Sequence, residues 1–138
     1  MPKQKIYLCS SYVNKLHMRE VRDKLVKIGH RVVSRWIDEP HAPNVQIGNF
    51  IDLELRDMSD RDIDDIQDAD ILTHFTSGND RGGAIAEFGI SLGLRIEGRD
   101  MQTILVGERR NIFDYNYLVD HFPTEEEFLK WAEKEAGR

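Results

Sequence analysis

The chain has 138 residues, 32% of them charged and 40% hydrophobic, a balance that excludes a disordered or membrane-embedded polypeptide. The formal net charge of -6 argues against a nucleic-acid polymer as partner, although a local positive cluster still leaves small anionic ligands open. The single Cys9 excludes an internal disulfide and fits a reducing cytoplasm, and the start Met1-Pro2-Lys3-Gln4-Lys5 leads into an apolar run too short for a signal peptide or membrane span.

Taken in order, Ile6-Tyr7-Leu8-Cys9 reads as a first buried strand. Asn14 to Ile28 reads as a helix with Met18, Val21, Leu25 and Ile28 on one stripe, ended by Gly29; Lys15 and His17 are expected at its solvated start. Arg31 to Ser34 is a second strand, and Asp38 to Asn44, with Pro40 and Pro43, is a loop. Gln46 to Asp68 reads as a long helix, followed by a third strand, Ile71 to Phe75. Thr76 to Arg81 feeds a helix from Gly82 to Leu94, and Thr103 to Gly107 is a fourth strand. Leu118 to Phe122 is a short fifth strand, and the capping box Thr124-Glu125-Glu126-Glu127 opens a last helix carrying Phe128, Leu129 and Trp131.

This alternation implies an α/β fold, one domain over residues 1–138 with a flavodoxin-like or Rossmann-like parallel sheet of about five strands and helices on both faces. Such sheets bind ligands beyond the carboxyl ends of their strands, near the point where strand order reverses. That rule gathers Tyr7 to Tyr12, Ser34 to Asp38 and Thr76 to Glu87 into one cleft.

Two carboxylates break the apolar pattern. Glu87 is the one charged residue between Gly82 and Leu94, so that helix is expected to be packed on most sides around a lone acid. Asp62 falls on the stripe Ile51, Leu55, Met58, Ile66, whereas Asp60, Asp64, Asp65 and Asp68 fall off it and are read as solvated. Perturbed carboxylates gather at functional sites; the bland alternative is a backbone bond or ion pair.

Ile6-Tyr7-Leu8, the segment Arg61 to Ile71 with its Ala69-Asp70, and Ala86-Glu87-Phe88-Gly89 together resemble the nucleoside 2-deoxyribosyltransferase superfamily, which includes deoxynucleoside 5′-monophosphate N-glycosidases. The likeness spans residues 5 to about 111 and rests on three ordered motifs, each weak alone. It implies Glu87 as the nucleophile on the anomeric carbon, Tyr7 orienting that carboxylate, and Asp62 helping to protonate the leaving base or contacting sugar hydroxyls. Asp80 resembles a further family aspartate near sugar and base, at a separation from Glu87 one residue longer than the pattern; Ser77 and Asn79 are its alternatives. Tyr12 stands where the family places an aromatic over the base. Asn111 stands where the family lends a polar group to a neighbouring subunit's site, against a plain surface turn.

The chemistry is coherent in itself: a carboxylate stabilises an oxocarbenium-like state, and a covalent sugar passes to another base or to water. Ser10, Ser11 and Arg19 are candidates for a 5′-phosphate. Gly82-Gly83 either cradles phosphate through backbone amides, with Gly83 at the helix start, or lets helix and strand pack closely. Trp36 either walls the base pocket or packs in the core. The five histidines show no metal-ligand spacing, and no cofactor or metal is expected. Deoxyribosyl transfer is preferred over hydrolysis, because Cys9-Ser10-Ser11-Tyr12 stands where the monophosphate hydrolases carry a glycine-rich loop. A non-catalytic nucleotide-binding module, or a scaffold whose acids only satisfy buried partners, are the competing readings. The apolar Glu87 helix further points to a homodimer or higher homo-oligomer, unless the Gln46–Asp68 helix covers its extra face.

Overall fold

Short apolar runs alternate with helix-period segments, and each run becomes a strand of one parallel sheet in the structure, a computed structural model that describes residues 3–77 and 82–137. The strands are β1 (Lys5–Cys9), β2 (Arg31–Val32), β3 (Ile71–Phe75), β4 (Gln102–Val106) and β5 (Val119–Phe122), ordered β2-β1-β3-β4-β5. Tyr7 lies in register with Leu72, and Ile71 with Gln102. Strand order reverses between β1 and β3, the flavodoxin-like arrangement whose ligand crevice opens at that point. β3 is buried along its whole length, as parallel strands covered on both faces must be.

The helices are α1 (Lys15–Ile28), α2 (Asp52–Asp68), α3 (Gly83–Ile96) and α4 (Glu125–Ala136). α1 packs beside α4, where His30 Nε2 meets the Ala132 carbonyl at 2.8 Å, while α2 and α3 are neighbours. The α1 stripe Met18, Val21 and Leu25 is fully buried, and Gly29, at φ 121°, ends the helix by donating to Leu25 O. α4 starts where the Thr124 hydroxyl accepts from Glu127 N at 3.2 Å. Its Phe128 fills the centre of a cluster with Phe75, Phe122 and Trp131, ring centroids 5.6 to 6.1 Å away. Burying one such ring contributes about 2–3 kcal/mol.

Several expectations change. The helix expected over Gln46–Asp68 is a single 3-10 turn, Ile47–Asn49, followed by α2 from Asp52. Asn49 Oδ1 accepts from Gln46 N at 3.1 Å, and Glu54 Oε1 from Ile51 N at 3.0 Å, so these polar side chains close the turn and start a new helix. Ile51 thereby becomes an exposed cap residue rather than part of the buried stripe. Asp65, expected in solvent, is buried because Arg35 claims it, through its backbone N–H at 3.0 Å and its guanidinium at 2.8 Å. β2 is two residues shorter than expected, since the chain turns into a 3-10 segment at Arg35–Asp38.

α3 also differs from its expectation. Phe88 and Leu92 are buried and Ile90 and Leu94 pack partly against the core, but Ile85 is 44% and Ile96 71% exposed, with Gly89 and Gly93 also open. One face of this apolar helix therefore meets solvent, and α2 leaves it uncovered. Among the described residues no helix is long and apolar enough to cross a membrane.

Candidate active site

Residues alternate in direction along β1, so Tyr7 and Cys9 share a face. α3 starts above the carboxyl end of β3 and runs back across that face. Cys9 Sγ approaches the Ala84 carbonyl at 3.8 Å, and one turn further along α3 the Tyr7 hydroxyl donates to Glu87 Oε2. Two residues on a strand thus meet two residues a helical turn apart. Tyr7 is fully buried, and burial, followed by the negative charges of Glu87 and Asp62, holds its pKa well above the ordinary tyrosine value. The phenol therefore keeps its proton and acts as a donor throughout the neutral range.

Asp62 reaches the same neighbourhood from α2. Burial raises its pKa from 3.8 to about 6, against the opposing charge and hydrogen bonds of Arg61, with Asp65 and Glu39 adding to the rise. Arg61 Nε and Nη2 lie 3.4 and 3.3 Å from Asp62 Oδ1, long for charge-assisted bonds. A carboxyl so placed gives up or takes a proton close to neutral pH, as a general acid must.

The rim is built by the segment after β2. Lys15, expected at a solvated helix start, is fully buried: its ammonium donates to Tyr12 Oη (2.7 Å), Glu39 O (2.7 Å) and His41 O (2.8 Å). Burial lowers its pKa, with Arg19 adding to the effect. Arg19, considered for phosphate, donates from Nε to Ile37 O at 2.6 Å and so holds this loop instead. Glu39 accepts from Arg61 Nη1 at 2.8 Å through one oxygen and contacts His41 Nδ1 at 2.6 Å through the other. The bond from Arg61 is the main cause of its lowered pKa. Nothing in the sequence pattern marks Arg61 or Glu39 for this cluster, and Lys15 was expected in solvent. Lys15 had a signal, since it stands three residues before Met18 on the buried stripe; Glu39, in a proline-flanked loop, had none.

The remaining candidates divide. Tyr12 lies beside this cluster, its ring 6.2 Å from that of Trp36. Trp36 is 5% exposed and donates its indole N–H to Leu8 O at 2.8 Å, so it backs Tyr12 from the core. Ser11 accepts from the Ser77 hydroxyl at 2.8 Å, tying the end of β1 to the loop after β3. Ser10 is buried and donates to Phe75 O at 2.9 Å while accepting from Asn14. Gly83 opens α3 at the surface, after Gly82 at φ 100°, and a Cβ there would meet nothing within 4 Å, so close helix–strand packing does not require this glycine. Asn111 caps a 3-10 turn, its Oδ1 accepting from Phe113 N at 2.9 Å, beside Arg110, whose guanidinium donates to Ser77 O. Asp80 and its alternative Asn79 lie outside the described residues. The structure thus joins Tyr7 to Glu87, sets Asp62 close enough for its charge to act on Tyr7 and Tyr12, and leaves Asn111 in a local turn.

No protein-family model matches the chain, and no curated protein matches it. Among solved structures it is similar to a 2-deoxyribosyltransferase from the psychrotolerant bacterium Bacillus psychrosaccharolyticus, with a TM-score of 0.70 and 24% identity. The match covers 91% of this chain and 90% of that one, so the two share their fold over nearly their whole lengths.

Proposed function

We propose that this chain is an enzyme of the nucleoside 2-deoxyribosyltransferase kind, moving a deoxyribosyl group between bases by way of a glycosyl ester on Glu87. The observation that carries this reading is the buried Tyr7 hydroxyl bonded to Glu87 Oε2, beside an aspartate whose proton is held to about pH 6. The shared fold supports it, the neighbour being described as a biocatalyst for nucleoside synthesis.

A Glu87 oxygen attacks the anomeric carbon as the carbon–nitrogen bond to the base breaks, and the bonding pair leaves with the base. Asp62 gives that base its proton. Tyr7, by its hydrogen bond, holds one carboxylate oxygen and aims the other; a bond to a charged group of this kind is worth about 1.5–3 kcal/mol. A second base then attacks the same carbon, the ester bond breaks, its electron pair returns to Glu87 and the incoming proton goes to Asp62. Tyr12 is the surface on which the base lies. Asp80 is a candidate for contact near sugar and base and Asn111 for a polar contact to a neighbouring copy's site, while Ser11, tied to Ser77, and Ser10, bound to Phe75 O and Asn14, hold the end of β1. That engagement of Ser10 favours nucleosides over 5′-monophosphates. Neither cofactor nor metal enters the scheme. The open face of α3 is assigned to a second copy of the chain, giving a homodimer or a larger assembly built from it.

The test is to incubate purified protein with common deoxynucleosides, with and without an acceptor base, and to follow bases and nucleosides by chromatography. Exchange that needs the acceptor and is lost in Glu87→Ala supports transfer, whereas base release without acceptor indicates hydrolysis. Ligand binding with neither exchange nor release favours a non-catalytic module and overturns the reading.

A further inference from the structure

We propose that Arg61 is a positioning residue for Asp62: clamped by Glu39, its guanidinium is held beside the Asp62 carboxyl but not tightly on it, and so sets both its orientation and its proton affinity. The inference rests on the reading of Asp62 as the acid of the site, and extends it to the loop over residues 37–41.

Adjacent residues on a helix point about 100° apart and do not face each other, so Arg61 and Asp62 meet only at the margin of hydrogen-bond range. Two carboxylates compete for this guanidinium, and Glu39 holds it the more closely. Arg61 Nη1 lies 2.8 Å from Glu39 Oε2, against 3.3 and 3.4 Å for its two approaches to Asp62. Glu39 is itself fixed three times over. His41 meets its second oxygen at 2.6 Å, and its backbone carbonyl accepts from Lys15 Nζ at 2.7 Å and Arg19 Nη2 at 3.3 Å. The chain of command runs from α1 through the loop to Arg61.

A short bidentate bond from Arg61 would drive the carboxylate's proton affinity far down. Here the cation is kept near enough to orient the carboxyl and far enough to leave it protonatable. The groups acting on Asp62 are Arg61 and Asp65 from α2 and Glu39 from the loop, with Tyr7 of β1 and Tyr12 of the following turn feeling its charge. Among the described residues Arg61 is the one cation in this group. Replacing it and replacing Glu39 must therefore move Asp62 in opposite directions. Without Arg61 the carboxyl holds its proton more firmly; without the Glu39 charge, Arg61 is released toward Asp62 and the proton is held less firmly.

The experiment is a carbon-13 carboxyl NMR titration of the folded protein, with the Asp62 signal assigned by its loss in Asp62→Asn. Arg61→Gln is expected to raise the Asp62 midpoint by about one pH unit, Glu39→Gln to lower it, and Arg61→Lys to keep it near the wild-type value. An unchanged midpoint in folded Arg61→Gln overturns the proposal, as does a shift of the same sign in both neutral variants. If Arg61→Gln does not fold, the downward shift in Glu39→Gln decides, and its absence overturns the proposal. The pH dependence of base exchange is read beside the titration. Midpoints that move while the activity profile stays fixed uphold the positioning of Asp62 and refute instead its role as the acid.

Discussion

Asp62 is held against its own solvation, and that has a consequence for stability. An ordinary aspartyl titrates at 3.8 and Asp62 in the fold at about 6, so between those values the folded state binds the proton more firmly than the unfolded chain. Stability therefore falls as pH rises through that window, and above it the charged carboxylate costs about 2–3 kcal/mol, reduced somewhat by residual solvent access. Asp62→Asn is expected to abolish base exchange yet resist denaturant better than wild type by about 1–2 kcal/mol near pH 8, the two proteins converging at about pH 3.5. Urea unfolding at both pH values checks this, and a difference independent of pH contradicts it. Asp62 and Glu87 stood out as candidates because each puts a charge where the pattern asks for an apolar residue, and Tyr7 was singled out by the family resemblance. Arg61, Glu39 and Asp65 were not: in a sequence they look like any solvated charge, and only their partners, 22 and 30 residues away, make them part of the interior.

At the scale of elements, hydrophobic period carried most of the fold. β3 and α1 fall within a residue of their expected limits because a run buried on both sides and a stripe ended by glycine are unambiguous. The misplaced start of α2 has a different origin. Ile47, Ile51 and Leu55 continue the helical spacing, but Gln46, Asn49 and Glu54 satisfy backbone groups locally and so favour a turn and a fresh start over one long helix. The loop from Asp38 to Asn44 read as a connection with turn residues and nothing more. Apart from the Arg22–Asp38 ion pair, its hold on α1 comes from Lys15 and Arg19 bonding carbonyl oxygens, and since every residue supplies a carbonyl, no residue type betrays those contacts.

For the whole molecule, α3 is the decisive element, because it both carries Glu87 and leaves Ile85, Gly89, Gly93 and Ile96 at the surface. Small residues let a second helix approach closely, and this uncovered face is where the proposed second copy would pack. Light scattering at micromolar concentration is expected to give at least twice the mass of one chain, and a clean monomer mass ends that claim. The proposed chemistry turns on one covalent step: during turnover the sugar is bonded to Glu87. Rapid acid quenching of wild-type protein with a deoxynucleoside, followed by digestion and mass spectrometry, tests it most directly. The expected result is a deoxyribosyl adduct on the peptide carrying Glu87, formed with wild type, discharged by an added acceptor base and absent in Glu87→Ala. Base exchange proceeding in Glu87→Ala, or an adduct on any other residue, would contradict it.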